Sequence, residues 1–161
     1  DVRFEIEFDW IKDNGGDVVQ TGAFAASLKR LAACGGKVKM LWQHDPTRPI
    51  GVWDVVAEDG HGLKVSGRVL PDVQAGREAL ALLKAGAVDG LSIGYRTIRS
   101  EKAGKNSRLL HEIELWEVSL VTFPMLAQAR VRATDGGGAD EDAALAETLA
   151  STFRAARDML A

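Results

Sequence analysis

A chain of 161 residues with a net charge of −3, 46% hydrophobic and 27% charged, is large enough to bury one real core and has the make-up of an ordinary globular domain. It carries no basic surplus to drive binding to nucleic acid or an anionic membrane, and Trp10, Trp42, Trp53 and Trp116 are scattered without the interleaved Arg or Lys of a base-stacking platform. A single cysteine, Cys34, excludes a disulfide within the chain and a cysteine-based zinc site.

No apolar run is long enough to span a bilayer, and no charged start precedes an apolar signal core, so a soluble, intracellular protein is expected. The chain begins at Asp1 without methionine, as a processed or trimmed product does.

Residues 3–8 alternate strictly, with Phe4, Ile6 and Phe8 on one face, which predicts a half-buried strand of an antiparallel sheet. Asp13-Asn14-Gly15-Gly16-Asp17 supplies turn chemistry, and Asp9, Asp13 and Asp17 do not fall at the alternating ligand positions of a calcium-binding EF-hand. A helix is predicted over 21–33, capped by Thr21, with Phe24, Leu28 and Leu31 on its apolar face and Gly35-Gly36 as its stop. Residues 38–42 read as a strand that delivers Gln43-His44-Asp45-Pro46 into a loop. Pro46 and Pro49, which cannot donate to a ladder, make that loop rigid and irregular.

A hairpin follows, 51–57 and 63–70 joined across 58–62, then a helix over 74–84 carrying Ala79, Leu80, Leu82 and Leu83. Residues 95–99 read as a strand, 102–107 as an exposed turn, and 109–122 as one long or bent strand with Ile113, Leu115, Val118 and Leu120 inward. Residues 1–133 are expected to form the main domain, 134–139 a flexible Gly-rich linker, and 140–161 an amphipathic helix with Leu145, Leu149, Phe153, Ala156 and Leu160 on one face. The sum is mainly β with helices (α+β). Its six or so strands favour a small antiparallel barrel over a doubly wound sheet.

Between the second helix and the 95–99 strand lies Val88-Asp89-Gly90-Leu91-Ser92-Ile93-Gly94-Tyr95. Gly90-Leu91-Ser92-Ile93-Gly94 matches G-x-S-x-G, but the nucleophile elbow of α/β-hydrolases needs a strand before the serine and a helix after it. Here the order is reversed. Glycines mark turns and bulges more often than sites, so the octapeptide alone is better explained by a turn and a bulge than by a nucleophile.

A nucleophilic serine needs a base, and three histidines are available. His61 lies in a Gly-flanked hairpin turn, and His111 sits among Arg108, Glu112 and Glu114; both read as solvated. His44 follows a hydrophobic strand end and precedes a Pro-stiffened loop, and taken alone it is slightly better explained as structural. The third member of such a site orients the imidazole and stabilises its cation. Glu117 interrupts the apolar run 115–121, where an unpaired carboxylate is costly, so it needs a partner: His44, or equally Arg96. Asp45, Glu112 and Glu114 are weaker candidates, and no residue set has metal-ligand spacing.

With these segments in order, the chain resembles the prohead (capsid maturation) proteases of tailed bacteriophages. The matching blocks include Leu41-Trp42-Gln43-His44-Asp45-Pro46, Gly67-Arg68-Val69-Leu70, the stretch from Leu82 through Ser92 to Tyr95, and Glu114-Leu115-Trp116-Glu117-Val118-Ser119-Leu120-Val121-Thr122-Phe123-Pro124. They extend over roughly residues 2–132. The resemblance implies a serine endopeptidase with a fold similar to the herpesvirus assembly proteases, small β-barrels ringed by helices that use a serine and two histidines.

The family's histidine falls on His44 and its nucleophile on Ser92. The third herpesvirus member aligns with Glu117, which lies 25 positions after Ser92 (117 minus 92). One departure is that family members often carry Asn-Pro after Phe-Pro-Met, where this chain has Leu126-Ala127-Gln128 after Met125. The resemblance further implies, as substrate, the scaffold or delta segment of the major capsid protein, and the protease itself near Asp135-Gly136-Gly137-Gly138. It implies work in the bacterial host cytoplasm and inside the prohead, a homodimer by analogy, and no cofactor, metal, nucleic acid or membrane. The alternative from another class is a catalytically silent capsid-assembly scaffold or binding module with the same fold; a metal hydrolase is a third reading.

Overall fold

The computed structural model describes residues 3–9, 16–60, 62–126 and 129–134. The residues 10–15 that hold most of the first turn, His61, the 135–139 part of the linker and the 140–161 helix lie outside the described residues.

The long strand was legible from its apolar periodicity, and the sheet is built around it. This is β7 (Arg108–Val121), paired antiparallel along its full length with β6 (Gly90–Lys102). Because β6 occupies one edge of β7 throughout, two shorter strands share the other. At its start runs β2 (Asp17–Val19) and at its end β3 (Lys39–Trp42), both parallel to it.

The sheet continues through β4 (Asp45–Glu58) and β5 (Gly62–Val69), the expected hairpin, to β1 (Arg3–Asp9) and β8 (Arg132–Thr134), all antiparallel. It is a mostly β fold whose sheet curls into a half-barrel, with two helices among the described residues, α1 (Ala25–Ala33) and α2 (Gln74–Lys84). The two rims are joined by one segment: the Leu91 N–H donates to the Ala129 carbonyl (3.0 Å) and the Val131 N–H to the Asp89 carbonyl (2.8 Å), after which β8 pairs with β1. The core fills the concave side with Met40, Ile50, Val65, Leu91, Ile113 and Leu120, closed off by Phe24 from the start of α1 and Ala79 and Leu80 from α2.

Three expectations are corrected. The first helix begins at Ala25 rather than Thr21, and no side chain caps it. Tertiary bonds win over the local signal there. The Ala23 carbonyl accepts the Ile113 N–H (3.1 Å), the Glu58 carboxylate accepts the Gly22 N–H (2.6 Å), and Gly22 takes a positive φ of 89°, so the chain turns before it can coil. Ser27, one turn on, accepts the Leu115 N–H (3.0 Å); α1 thereby satisfies the stretch of β7's edge between β2 and β3.

Second, the expected loop after Trp42 is a two-residue turn, and Pro46 and Pro49 lie within β4. Leu41 faces Pro49 and Trp42 faces Asp45, so residues 46–48 form a bulge without β3 partners, where Pro46 deprives the ladder of no donor. Third, the strand expected over 95–99 starts at Gly90, because residues 90–94 pair with residues 117–121 of β7, which turns Leu91 and Ile93 onto the core. Ser92 therefore stands in a strand and not on a turn.

Candidate active site

A bulge makes the site. Tyr95 is paired with Leu115 and Gly94 with Glu117, so Trp116 has no partner on β6 and is 56% exposed. One extra residue inverts the alternation of a strand. Before the bulge Ile113 and Leu115 face the core; after it Val118 and Leu120 do, and Glu117 and Ser119 turn to the opposite side. On β6 the side opposite Leu91 and Ile93 carries Ser92, Gly94 and Arg96. The register sets Ser92 against Ser119, Gly94 against Glu117, and Arg96 against Glu114. Cross-strand partners of this kind hold their Cβ atoms about 5 Å apart.

His44 reaches this face from the β3–β4 turn. Gln43 and His44 both have positive φ, 53° and 61°, as the tight two-residue hairpin turn demands of its central pair. Three bonds tie Gln43 to the end of β7: its N–H donates to the Leu120 carbonyl (2.9 Å), its side-chain amide donates to Thr122 Oγ1 (2.7 Å), and its Oε1 accepts the Thr122 N–H (3.2 Å). The His44 N–H in turn donates to Ser119 Oγ (3.2 Å).

The imidazole Nδ1 meets Glu117 Oε1, while Ser119 Oγ donates to Glu117 Oε2. Glu117, Ser119 and Ser92 are all buried, and the histidine side chain is 42% exposed. The hydrogen bond that Nδ1–H donates to Glu117 raises the His44 pKa above its ordinary 6.5, burial opposes it, and the carboxylate's charge adds to the rise.

Of the residues singled out in the sequence, His44 and Glu117 are in direct contact, and Ser92 lies on the same face beside them; Ser92 and His44 make no hydrogen bond to each other. With Nδ1 engaged, Nε2 is the nitrogen left to exchange a proton. The alternative pairing of Glu117 with Arg96 is overturned, since Arg96 pairs with Glu114 at 2.8 Å.

The weaker candidates are accounted for elsewhere. Asp45 accepts from the hydroxyl (2.6 Å) and N–H (2.9 Å) of Thr47, which lowers its pKa, and Glu112 pairs with Arg30 (3.3 Å). His111 pairs with Glu101 (3.3 Å). Among the described residues no group of three or more His, Cys, Asp or Glu could hold a metal.

Sequence reasoning assigned no role to Ser119, Gln43 or Gly94. Ser119 carried a usable signal, two residues after Glu117 on the same strand face. Gly94 carried one visible only in three dimensions: a Cβ there would run into the Glu117 carboxylate.

Three comparisons bear on this geometry. Residues 4–140 match the family described as Caudovirus prohead serine protease. The chain is 32% identical over 124 residues to the prohead protease of Enterobacteria phage HK97, a match that takes in 75% of this chain and 54% of that protein; the chain thus spans about half the length of this relative. The fold is similar to that of the capsid assembly protease gp21 of bacteriophage T4, with a TM-score of 0.55 and 16% identity over 74% of this chain and 82% of the other.

Proposed function

The chain belongs to the Caudovirus prohead serine protease family, and from that premise we propose that it is a serine endopeptidase with Ser92 as nucleophile, His44 as base and Glu117 as the group that orients His44. The observation that carries this reading is the buried Glu117 carboxylate on His44 Nδ1, on the sheet face that also presents Ser92.

Ser92 Oγ attacks a peptide carbonyl while His44 Nε2 takes its proton, and Glu117 steadies the imidazolium. The tetrahedral adduct then collapses: the C–N bond breaks, the amine leaves with the proton from His44, and Ser92 holds the acyl group as an ester. Water, deprotonated by the same imidazole, cleaves the ester and restores the serine.

The substrates we propose are the scaffold or delta segment of the major capsid protein and this chain's own 135–138 segment, cut in the host cytoplasm and inside the prohead. We further propose a small herpesvirus-protease-like barrel that ends with β8 at Thr134, one residue beyond the expected boundary at 133, then a linker over 135–139, a helix over 140–161 and a homodimer. The segment 129–134, bonded to both β6 and β1, supports the barrel reading.

The test is co-expression of the cognate capsid precursor with the wild-type chain or with Ser92→Ala, followed by mass spectrometry of the products. Discrete trimming by wild type alone is the expected outcome. Trimming by folded Ser92→Ala removes Ser92 as nucleophile.

A further inference from the structure

Glu117 has two carboxylate oxygens, and the proposed chemistry uses one. Oε1 meets His44 Nδ1; Oε2 is buried with it and needs its own donor. Ser119 Oγ–H donates to it, and Ser119 Oγ in turn accepts the backbone N–H of His44 at 3.2 Å. Ser119 is fully buried, in an apolar strand where a hydroxyl is otherwise a liability. Both of its bonds go to members of the proposed triad, and in register it faces the third, Ser92.

We propose that Ser119 is the positioning residue of this site, a hydroxyl that fixes the Glu117 carboxylate and the left-handed His44 backbone at once, so that the imidazole is aimed before substrate arrives. A carboxylate held by Oε1 alone is free to rotate about its terminal torsion, which is broad and roughly two-fold. A His44 backbone without its acceptor loses a bond that opposes the cost of a non-glycine residue at positive φ. Threonine preserves both bonds in kind. Alanine removes both, leaving the buried Glu117 Oε2 without its donor and the part-buried His44 N–H without its acceptor.

The inference rests on the protease reading for its kinetic test only, and the test has an arm that does not. The full chain is labelled with a fluorophosphonate, a probe that reacts with an activated serine. The maximal labelling rate at Ser92 should fall about 10- to 100-fold in Ser119→Ala, by analogy with the loss of hydrogen-bond partners that orient metal-bound histidines and carboxylates, with the half-saturating probe concentration unchanged. Ser119→Thr should restore it.

In parallel, proton NMR of Ser92→Ala with and without Ser119→Ala follows the downfield Nδ1–H resonance of His44. That resonance should broaden or vanish when Ser119 is removed and persist with threonine. Ser119→Cys, close in volume and a weak donor, replaces alanine if alanine unfolds the chain, and the same losses are expected. A folded Ser119→Ala or Ser119→Cys with wild-type labelling and an unmoved resonance overturns the proposal, as does an equal loss in folded Ser119→Thr. No labelling of the wild type, with the resonance behaving as expected, counts against the protease reading and leaves the positioning role standing.

Discussion

Glu114 and Glu117 are three residues apart on one strand and face the same side of the sheet, yet they are different kinds of group. Glu114 lies before the Trp116 bulge with its side chain 34% exposed, paired with an Arg96 that is itself mostly in water; Glu117 lies after it, 11% exposed, on a histidine. A surface ion pair of the first kind contributes about 0–1 kcal/mol, because solvent screens it and holding two long side chains costs entropy. A buried carboxylate of the second kind is tolerated only when both oxygens are satisfied, and the fold spends Ser119, Gly94 and a strained turn on satisfying it. Residue type says little here. What separates the two glutamates is the bulge between them and what closes over the strand beyond it.

The comparison breaks most severely at Glu117. Glu117→Gln keeps the volume and removes the charge proposed to steady the imidazolium. In serine proteases, loss of the carboxylate that orients the histidine lowers kcat about 10⁴-fold, and a drop of that order is expected here, measured as trimming of the capsid precursor. The same variant fixes the sign of the pH dependence. Glu117 raises the pKa of His44, so in the wild type the neutral, proton-accepting imidazole appears only as pH rises past a value above 6.5; without the carboxylate the acid limb of residual activity moves to lower pH. Stability runs the other way. The pair's contribution is full below the unfolded-state histidine pKa and is lost as pH rises through the higher folded-state value. Unfolding midpoints measured across that window in both proteins check it, and a limb that stays put in Glu117→Gln removes Glu117 as the cause of the shift.

A smaller break comes from the opposing strand. Gly94 leaves the space that the Glu117 carboxylate occupies. Gly94→Ala places a methyl group there and should cost about 1–3 kcal/mol of stability, the range for overpacking a filled site, together with activity, since the carboxylate must move off His44. Chemical denaturation with a fluorophosphonate labelling assay reads both. Loss of stability with labelling intact would mean that the carboxylate relocates without leaving the imidazole.

Much of this was legible in the sequence, and the parts that were not share a cause. The α2 helix, the β4–β5 hairpin and the inward residues of β7 follow from local periodicity, and Ile113 and Leu115 against Val118 and Leu120 already required a change of phase in that strand. The interrupting Glu117 marked itself because a charge in an apolar run must find a partner. Which partner it finds is a matter of topology: Arg96 and His44 were equal on the residues, and only the parallel pairing of β3 with β7 brings the histidine to it. The α1 start, the prolines inside β4 and the strand conformation of Ser92 were misread for the same reason, since distant partners such as Ile113, Leu41 and Ser119 decide them.

The mildest test is at Glu114, and it asks whether the two glutamates are independent. Glu114→Ala should leave stability within about 0.5 kcal/mol, as surface substitutions usually do, and should leave precursor trimming unaltered at ordinary salt. It also leaves Arg96 without its partner, on the same face of β6 as Ser92 and four residues along, about 13 Å at 3.3 Å per residue. A bare guanidinium on the face that carries Glu117 disfavours the imidazolium slightly, so the acid limb should shift to lower pH in dilute buffer. The shift should disappear near 0.1 M salt, where the screening length is about 10 Å. A shift that survives salt, or a loss of trimming on the scale of Glu117→Gln, would mean that Arg96 and Glu114 belong to the site and that the bulge does not divide the strand as its burial pattern indicates.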